Sequence, residues 1–448
     1  MNKKALFLFR RDLRLEDNLG LIQSLINSDT VIPCFIYDTN LIENPDIENF
    51  RWSFLNQCLT DLDGQLKSKN SALQIFTGSP EKIIEEIILH HQIDSVFYNI
   101  DFSMYSENRD KKIFKICNRY GIKFSGYLDF LLHNPNEIKT NEGKPYLIYS
   151  HFIKKAKQHP VRNILKNVYD NYHKKSISDE KIKEPANSES TIIGGRSEGL
   201  KILKNLRDFQ SYLEDRDFPS RPTTNISPHN KFGTISIRET YRSIQNELGN
   251  HHALINQIYW REFFHYILFH FPESRNIPFK KKYTKIPWSK NIGKFNSWKN
   301  GQTGFPIVDA GMRELNSTGF MHNRLRMITA SFLTKDLHMD WKMGERYFSK
   351  KLIDYDPAVN IGNWQWAASI GCDAVPYFRI FNPWRQQEKF DQQCIYIKKW
   401  IPELCELSPH QIHNLWKARS PRLKYPLPIV DHHLELVKAK EIFKNMVD

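Results

Sequence analysis

Residues 362–383 read GNWQWAASIGCDAVPYFRIFNP, with Trp364 and Trp366 two positions apart and Arg379 set among aromatics. On a helix two positions are about 200° of rotation, so the rings point to nearly opposite sides. One can enter a core while the other looks into a cleft. Upstream, FMHNRLRMITASFLTKDL (320–337) sets His322, Arg324 and Arg326 near the start of an apolar helix. A guanidinium in such surroundings needs a partner, because an unpaired buried charge is very costly. LIDYDPAVNIGNW supplies Asp354 and Asp356. Taken alone, that pairing is better read as a structural ion pair. RPTTNISPHNKFGTIS (221–236) strings hydroxyls and backbone amides around prolines ahead of a helix start. Such a loop can cradle phosphate, although by itself it reads as an ordinary capped loop. Trp260, Trp288, Trp341, Trp364 and Trp366 are each, singly, better read as core aromatics. No metal-ligand cluster, nucleophile elbow or P-loop occurs, so hydrolytic and nucleoside-triphosphate chemistry have no support.

Those residues need elements to position them. Over the first 130 residues, short β-rich runs (KALFLF, VIPCFIYD, LQIFTG, SVFYNI, KFSGYL) alternate with helical stretches such as ENFRWSFLNQCLTDLDGQLKSK and SPEKIIEEIILHHQ. The latter opens on a Ser-Pro cap signal. Alternation of this kind predicts an α/β domain, a doubly wound parallel sheet, over 1–130. The turn after the first strand reads RRDLRLEDN rather than GxGxxG, so a dinucleotide fingerprint is absent. Residues 131–198 become rich in Lys, Ser and Pro and carry a Gly pair, which predicts a long polar linker over the surface. From 199 to 448 the patterns are helical, as in HHALINQIYWREFFHYILFHF, and predict an all-helical domain. Nine of the ten tryptophans lie between 260 and 416, so the chemistry is expected there.

Lys and Arg number 64 against 50 acidic residues, a formal net charge of +14. The excess favours a polyanionic partner, nucleic acid before membrane, although lysine also serves plain solubility. Six scattered cysteines without CxxC spacing read as reduced thiols. No run approaches the length of a membrane span, and the basic N-terminus is too short in apolar residues for a signal peptide. The expectation is a cytoplasmic protein.

Taken together, the motifs carry more than each alone. FRRDLRLEDN, RDFP, ISPHNKFG, YWREFF, GQTGFPIVDAGMRELNSTGFMHNRLRMITASFL, DWKMGERYF, NWQWAASIGCDAVPYFRIFNP and YPLPIVDH occur in this order along the whole chain. The sequence resembles the photolyase/cryptochrome family, most closely the class I cyclobutane pyrimidine dimer photolyases. The resemblance implies an N-terminal antenna domain and a helical domain holding one FAD per chain in a U shape. It implies that Tyr212, Thr223, Thr224, Asn225, Ile226 and Ser227 hold the flavin phosphates. Leu254, Gln257, Arg261, Asn323, Arg326, Asp354, Tyr355, Asp356 and Asn360 would surround the rest of the cofactor. The family's electron relay maps to Trp364, Trp341 and Trp288, from the flavin outward. Excited reduced FAD would donate an electron to a dimer flipped out of double- or single-stranded DNA, and a monomer would suffice. Trp366 and Trp260 would wall the lesion, with Gln257, Asn323 and Met327 beside it, while Arg216, Arg324, Arg379 and Gln386 grip backbone phosphates. Flipping costs a few kcal/mol, and stacking on aromatics returns roughly 1–3 kcal/mol per base.

Three positions depart from the class I pattern: Gln257 stands where a glutamate is expected, Phe320 replaces a tryptophan, and Leu254 replaces one on the adenine side. Glutamine at 257 also occurs in (6-4) photolyases and cryptochromes, which remain the alternative readings. Against the (6-4) class, Asn323 and Met327 stand where that class has histidines, and neither can act as an acid. Against a sensor, Asn360 is the photolyase choice opposite the flavin, and no long signalling tail is expected. The antenna chromophore, methenyltetrahydrofolate or a deazaflavin, is undecided, with Glu107 the acidic candidate to fix a pterin.

Overall fold

The computed structural model describes residues 3–42, 49–184, 192–417 and 423–446. Part of the expected linker, 185–191, lies outside them. All five expected strands form: β1 (Lys4–Phe9), β2 (Thr30–Asp38), β3 (Gln74–Gly78), β4 (Ser95–Asn99) and β5 (Lys123–Tyr127). They pair in parallel in the order β3-β2-β1-β4-β5. Successive side chains of a strand point to opposite faces, and β1 shows the consequence. Ala5, Phe7 and Phe9 enter one core layer, Leu6 and Leu8 the other. A central strand covered on both faces must be apolar at every position, which is why KALFLF has no polar alternation.

The sheet order reverses between β1 and β4, and the loop after β1 fills that place with charge instead of glycine. Arg14 pairs with Asp129, while Arg238, from the helix Ile237–Leu248, bonds Asp17 Oδ2 (2.7 Å) and Asp129 Oδ1 (2.9 Å). These side chains are all but sealed from solvent, so the two halves of the chain are joined by buried, mutually neutralised charges. Such charges are tolerable only when paired.

The linker differs from the expected surface strap. Phe152 and Ala156, on the helix Tyr149–Ala156, enter the core formed by Tyr259 and Phe263. Further on, Val31 N donates to Asn171 O (2.9 Å) and His173 N to Val31 O (2.8 Å), which lays the chain against β2. Isolated apolar residues among many lysines are enough to dock it, because lysine stems tolerate burial while their ammonium groups stay wet.

The helical half is built around Ala253–His270, Asn323–Ser331, Trp341–Lys351 and Pro357–Ala367. The stretch 320–337, expected to form one apolar helix, is helical over Asn323–Ser331 and then widens into a π-turn over Phe332–Asp336. Two glycines let the Pro357–Ala367 helix sit tightly between neighbours. A Cβ on Gly344 would collide with Trp364, and one on Gly362 with Phe264.

Candidate functional site

These helices and the loop 221–236 enclose a cavity of about 450 Å³. It gathers Tyr212, Arg216, Thr223 to Ser227, Leu254, Gln257, Trp260, Arg261, Asn323, Arg326, Met327, Asp354, Tyr355, Asp356, Asn360, Trp364 and Trp366 on one wall-to-wall surface. These residues come from stretches more than a hundred positions apart. Trp341, Trp288, Arg324, Arg379 and Gln386 do not line it.

Arg326 Nη2 bonds Asp354 Oδ2 at 3.0 Å, and Ser227 Oγ donates to the same oxygen at 2.6 Å. Arg326 Nε donates to Met321 O at 2.8 Å. Among the described residues the other oxygen of Asp354 is buried without a hydrogen-bond partner, as is Nη2 of Arg261, whose Nη1 donates to Phe130 O (2.9 Å). A buried acceptor and a buried donor left open in one cavity wall fit a ligand that offers both an N–H and an acceptor, as a flavin ring does. Asn225 adopts left-handed backbone (φ 49°) in the hydroxyl-rich loop, a conformation asparagine tolerates. The residues present therefore fit FAD.

Asp356 differs from Asp354. Its Oδ1 accepts from Ala358 N (3.0 Å) and Val359 N (3.4 Å), capping the helix that carries Asn360, Trp364 and Trp366. Its Oδ2 takes Arg11 and His265 Nε2 (3.2 Å). Burial opposes its charge, yet Arg11 and His265 hold the carboxyl well below the usual range. Asp356 is thus occupied by protein, and it ties the cavity helix to the loop after β1. Lys231, in the KFG stretch, also lines the cavity; burial, then Arg11, pushes its ammonium down to about 7. Arg11 and Lys231 lie within FRRDLRLEDN and ISPHNKFG, but nothing in those stretches alone says that they meet around Asp356.

The two tryptophans of the opening stretch separate as helical geometry requires. Trp364 is buried, at 2% exposure. Trp366 is half-buried at the mouth, and Trp260, on the Ala253–His270 helix, lines the same space. Behind Trp364 stand Phe348 (ring centroids 5.0 Å) and Trp298 (6.2 Å). Sequence reasoning passed over Trp298, since KFNSWKN offers nothing to distinguish it. Trp341 is buried and Trp288 half-buried. Asn360 Nδ2 donates to Glu345 O (3.2 Å) and Oε1 (3.0 Å), which orients its amide in the wall.

Of the residues outside the cavity lining, Arg379 is exposed and Gln386 half-buried. Arg324 is not free: it pairs with Asp217 at 2.6 Å and lies 4.4 Å over the Phe390 ring. Glu107 pairs with Arg275 at 3.0 Å.

A family model described as DNA photolyase matches residues 5–167, and one described as FAD binding domain of DNA photolyase matches 254–445. The chain belongs to the DNA photolyase family. It is 36% identical to the deoxyribodipyrimidine photo-lyase of Alkalihalophilus pseudofirmus over 98% of this chain and 97% of that protein. Among solved structures, an archaeal photolyase from Sulfolobus tokodaii with two FAD molecules superposes with a TM-score of 0.88 at 39% identity. That match covers 99% of this chain and all of that one. A bacterial class III photolyase from Agrobacterium tumefaciens superposes at 0.90 with 32% identity, over 100% and 98% of the two chains. The parallel sheet plus helical domain is thus the photolyase architecture, and FAD is the cofactor of the helical part. Among the described residues no helix is long and apolar enough to cross a membrane, and no group of His, Cys, Asp and Glu is placed to hold a metal.

Proposed function

We propose that this protein repairs cyclobutane pyrimidine dimers in DNA by light, as a deoxyribodipyrimidine photo-lyase. One observation carries the reading: a single cavity joins the open-ended Asp354–Arg326 pair to two tryptophans, Trp260 and Trp366, on different helices. When bound, reduced and photo-excited FAD supplies the electron that opens the dimer. Residues 1–130 serve as the antenna domain, 131–198 as the linker and 199–448 as the cofactor domain. Tyr212 and the 223–227 loop take the phosphates, and Asp354, Arg326 and Arg261 orient the ring. Trp260 and Trp366 stack the flipped bases, excluding water from them, while Trp364, Trp341 and Trp288 pass electrons inward. The protein acts as a monomer in the cytoplasm, on double- or single-stranded DNA.

Asn323 and Met327 favour the cyclobutane lesion over the (6-4) product. They meet at the mouth (Asn323 Nδ2 to Met327 Sδ, 3.7 Å), and neither can donate the proton that (6-4) repair needs. The test is white-light repair of oligonucleotides carrying each lesion. Repair of the (6-4) product alone would reject the assignment. In the same assay Gln257→Glu should keep or raise the dimer quantum yield. A proton-sharing carboxyl stabilises charge developing on a dimer carbonyl better than an amide does.

Phosphate contacts and base stacking are separable. Arg379→Ala should weaken damaged and undamaged DNA alike and lower the salt slope by about one unit. Arg379 suits this better than Arg324, whose removal would also break the ion pair with Asp217. Trp366→Ala should cost roughly 1–3 kcal/mol of preference for dimer-containing DNA and leave the slope unchanged. Equal losses on both DNAs for Trp366→Ala would mean that this ring does not face the lesion.

A further inference from the structure

Tyr149 opens a helix inside the linker, far in sequence from every residue assigned above. Its ring lies parallel to that of Trp260, with centroids 3.6 Å apart and planes 8° off parallel. Its hydroxyl donates to Asn256 O (2.8 Å), one turn before Trp260 on the same helix. Its backbone N donates to Asp373 Oδ2 (3.0 Å), and two residues earlier Leu147 O accepts from Cys372 Sγ (2.9 Å). Cys372 and Asp373 belong to the loop that follows the helix carrying Trp366, and Asp373 takes left-handed backbone there (φ 48°). This short segment therefore joins two elements: Tyr149 stacks on the Trp260 ring, and its backbone holds the loop that follows the helix carrying Trp366.

We propose that Tyr149 is a positioning residue for the lesion, backing Trp260 and setting its separation from the wall that bears Trp366. An indole on a helix surface has several rotamers, and a stacked neighbour on one face leaves the other face presented to the cavity. Phe264, tilted at 5.7 Å from Trp260, closes the inner end. The chamber is pre-shaped, so the ordering that stacking demands is met before the bases arrive. Only a substrate with bases in the chamber senses this; a contact to phosphates does not.

The inference rests on the reading of Trp260 as a lesion wall, and the experiment separates the two. Binding to dimer-containing and undamaged oligonucleotides is measured for Tyr149→Ala, Tyr149→Phe, Trp260→Ala and the double variant, each loaded with FAD and checked for unchanged melting. Tyr149→Ala should lower the preference for damaged DNA roughly 2- to 10-fold, the worth of an aromatic pair, with affinity for undamaged DNA and the salt slope unaltered. Tyr149→Phe, which keeps the ring, should restore the preference. In the Trp260→Ala background, removing Tyr149 should have no further effect. Should Tyr149→Ala not fold, Asp373→Ala loosens the same clamp from its outer end and should show a smaller loss of the same kind. Equal losses on both DNAs, or an undiminished Tyr149 effect without Trp260, would overturn the proposal. A silent Tyr149→Ala beside a damaging Trp260→Ala would overturn this role alone. A silent Trp260→Ala would overturn the wall itself, and the role of Tyr149 with it.

Discussion

Asp354→Ala should purify with little or no flavin and melt several degrees lower than the parent. The carboxylate side chain is 5% exposed and accepts from Arg326 and Ser227 on one oxygen, while the other is buried without a hydrogen-bond partner among the described residues. Removing it leaves Arg326, whose side chain is three-quarters covered, with the Met321 carbonyl and the Phe320 ring and without a counter-charge at hydrogen-bond distance among the described residues. Breaking a fully buried pair from one side costs about 3 kcal/mol or more; the exposed quarter of Arg326 lowers that figure here, because water reaches part of the remaining charge. The same change deletes a buried acceptor suited to an N–H of the cofactor. Asp354→Asn provides the control: it keeps an acceptor and loses the charge, so it should retain more flavin than the alanine variant. Flavin content by absorbance and melting by calorimetry decide the matter. Normal values of both in Asp354→Ala would remove the pairing from any part in cofactor binding.

Trp364→Phe should abolish photoreduction of the oxidised flavin by external donors, yet leave repair intact once the flavin has been reduced chemically. Trp364 lines the cavity and is otherwise buried against Phe348 and Trp298, which in the relay proposed above makes it the last ring before the cofactor. In the proposed function the path from cofactor to dimer leads instead toward Trp260 and Trp366 and does not use it. Phenylalanine fills most of the space beside Gly344, so folding should persist while the readily oxidised indole is lost. Transient absorption after a light pulse and repair in the dark-reduced state are the two readouts. Normal photoreduction in this variant would mean that electrons enter elsewhere.

Much of this molecule was legible in its sequence because the signals are local. Each strand is a short apolar run bounded by polar residues, and KALFLF needs no partner to declare a strand buried on both faces. The opposite facing of Trp364 and Trp366 follows from the pitch of a helix alone. The motif-by-motif resemblance likewise named residues that one cavity does bring together, from Tyr212 to Trp366. What the tertiary structure alone decided is who pairs with whom. Asp354 and Asp356 are two apart and chemically alike, yet the first keeps an open oxygen and the second is filled by Arg11, 345 positions away, and His265. Arg324 and Arg326 divide in the same manner, one to Asp217 and one to Asp354. Trp298 and Tyr149 acquire their places from rings far along the chain, and the linker's apolar residues from a core that other segments build. Spacing fixes which face of an element a side chain takes. Its partner depends on how elements pack, and that is a property of the whole fold.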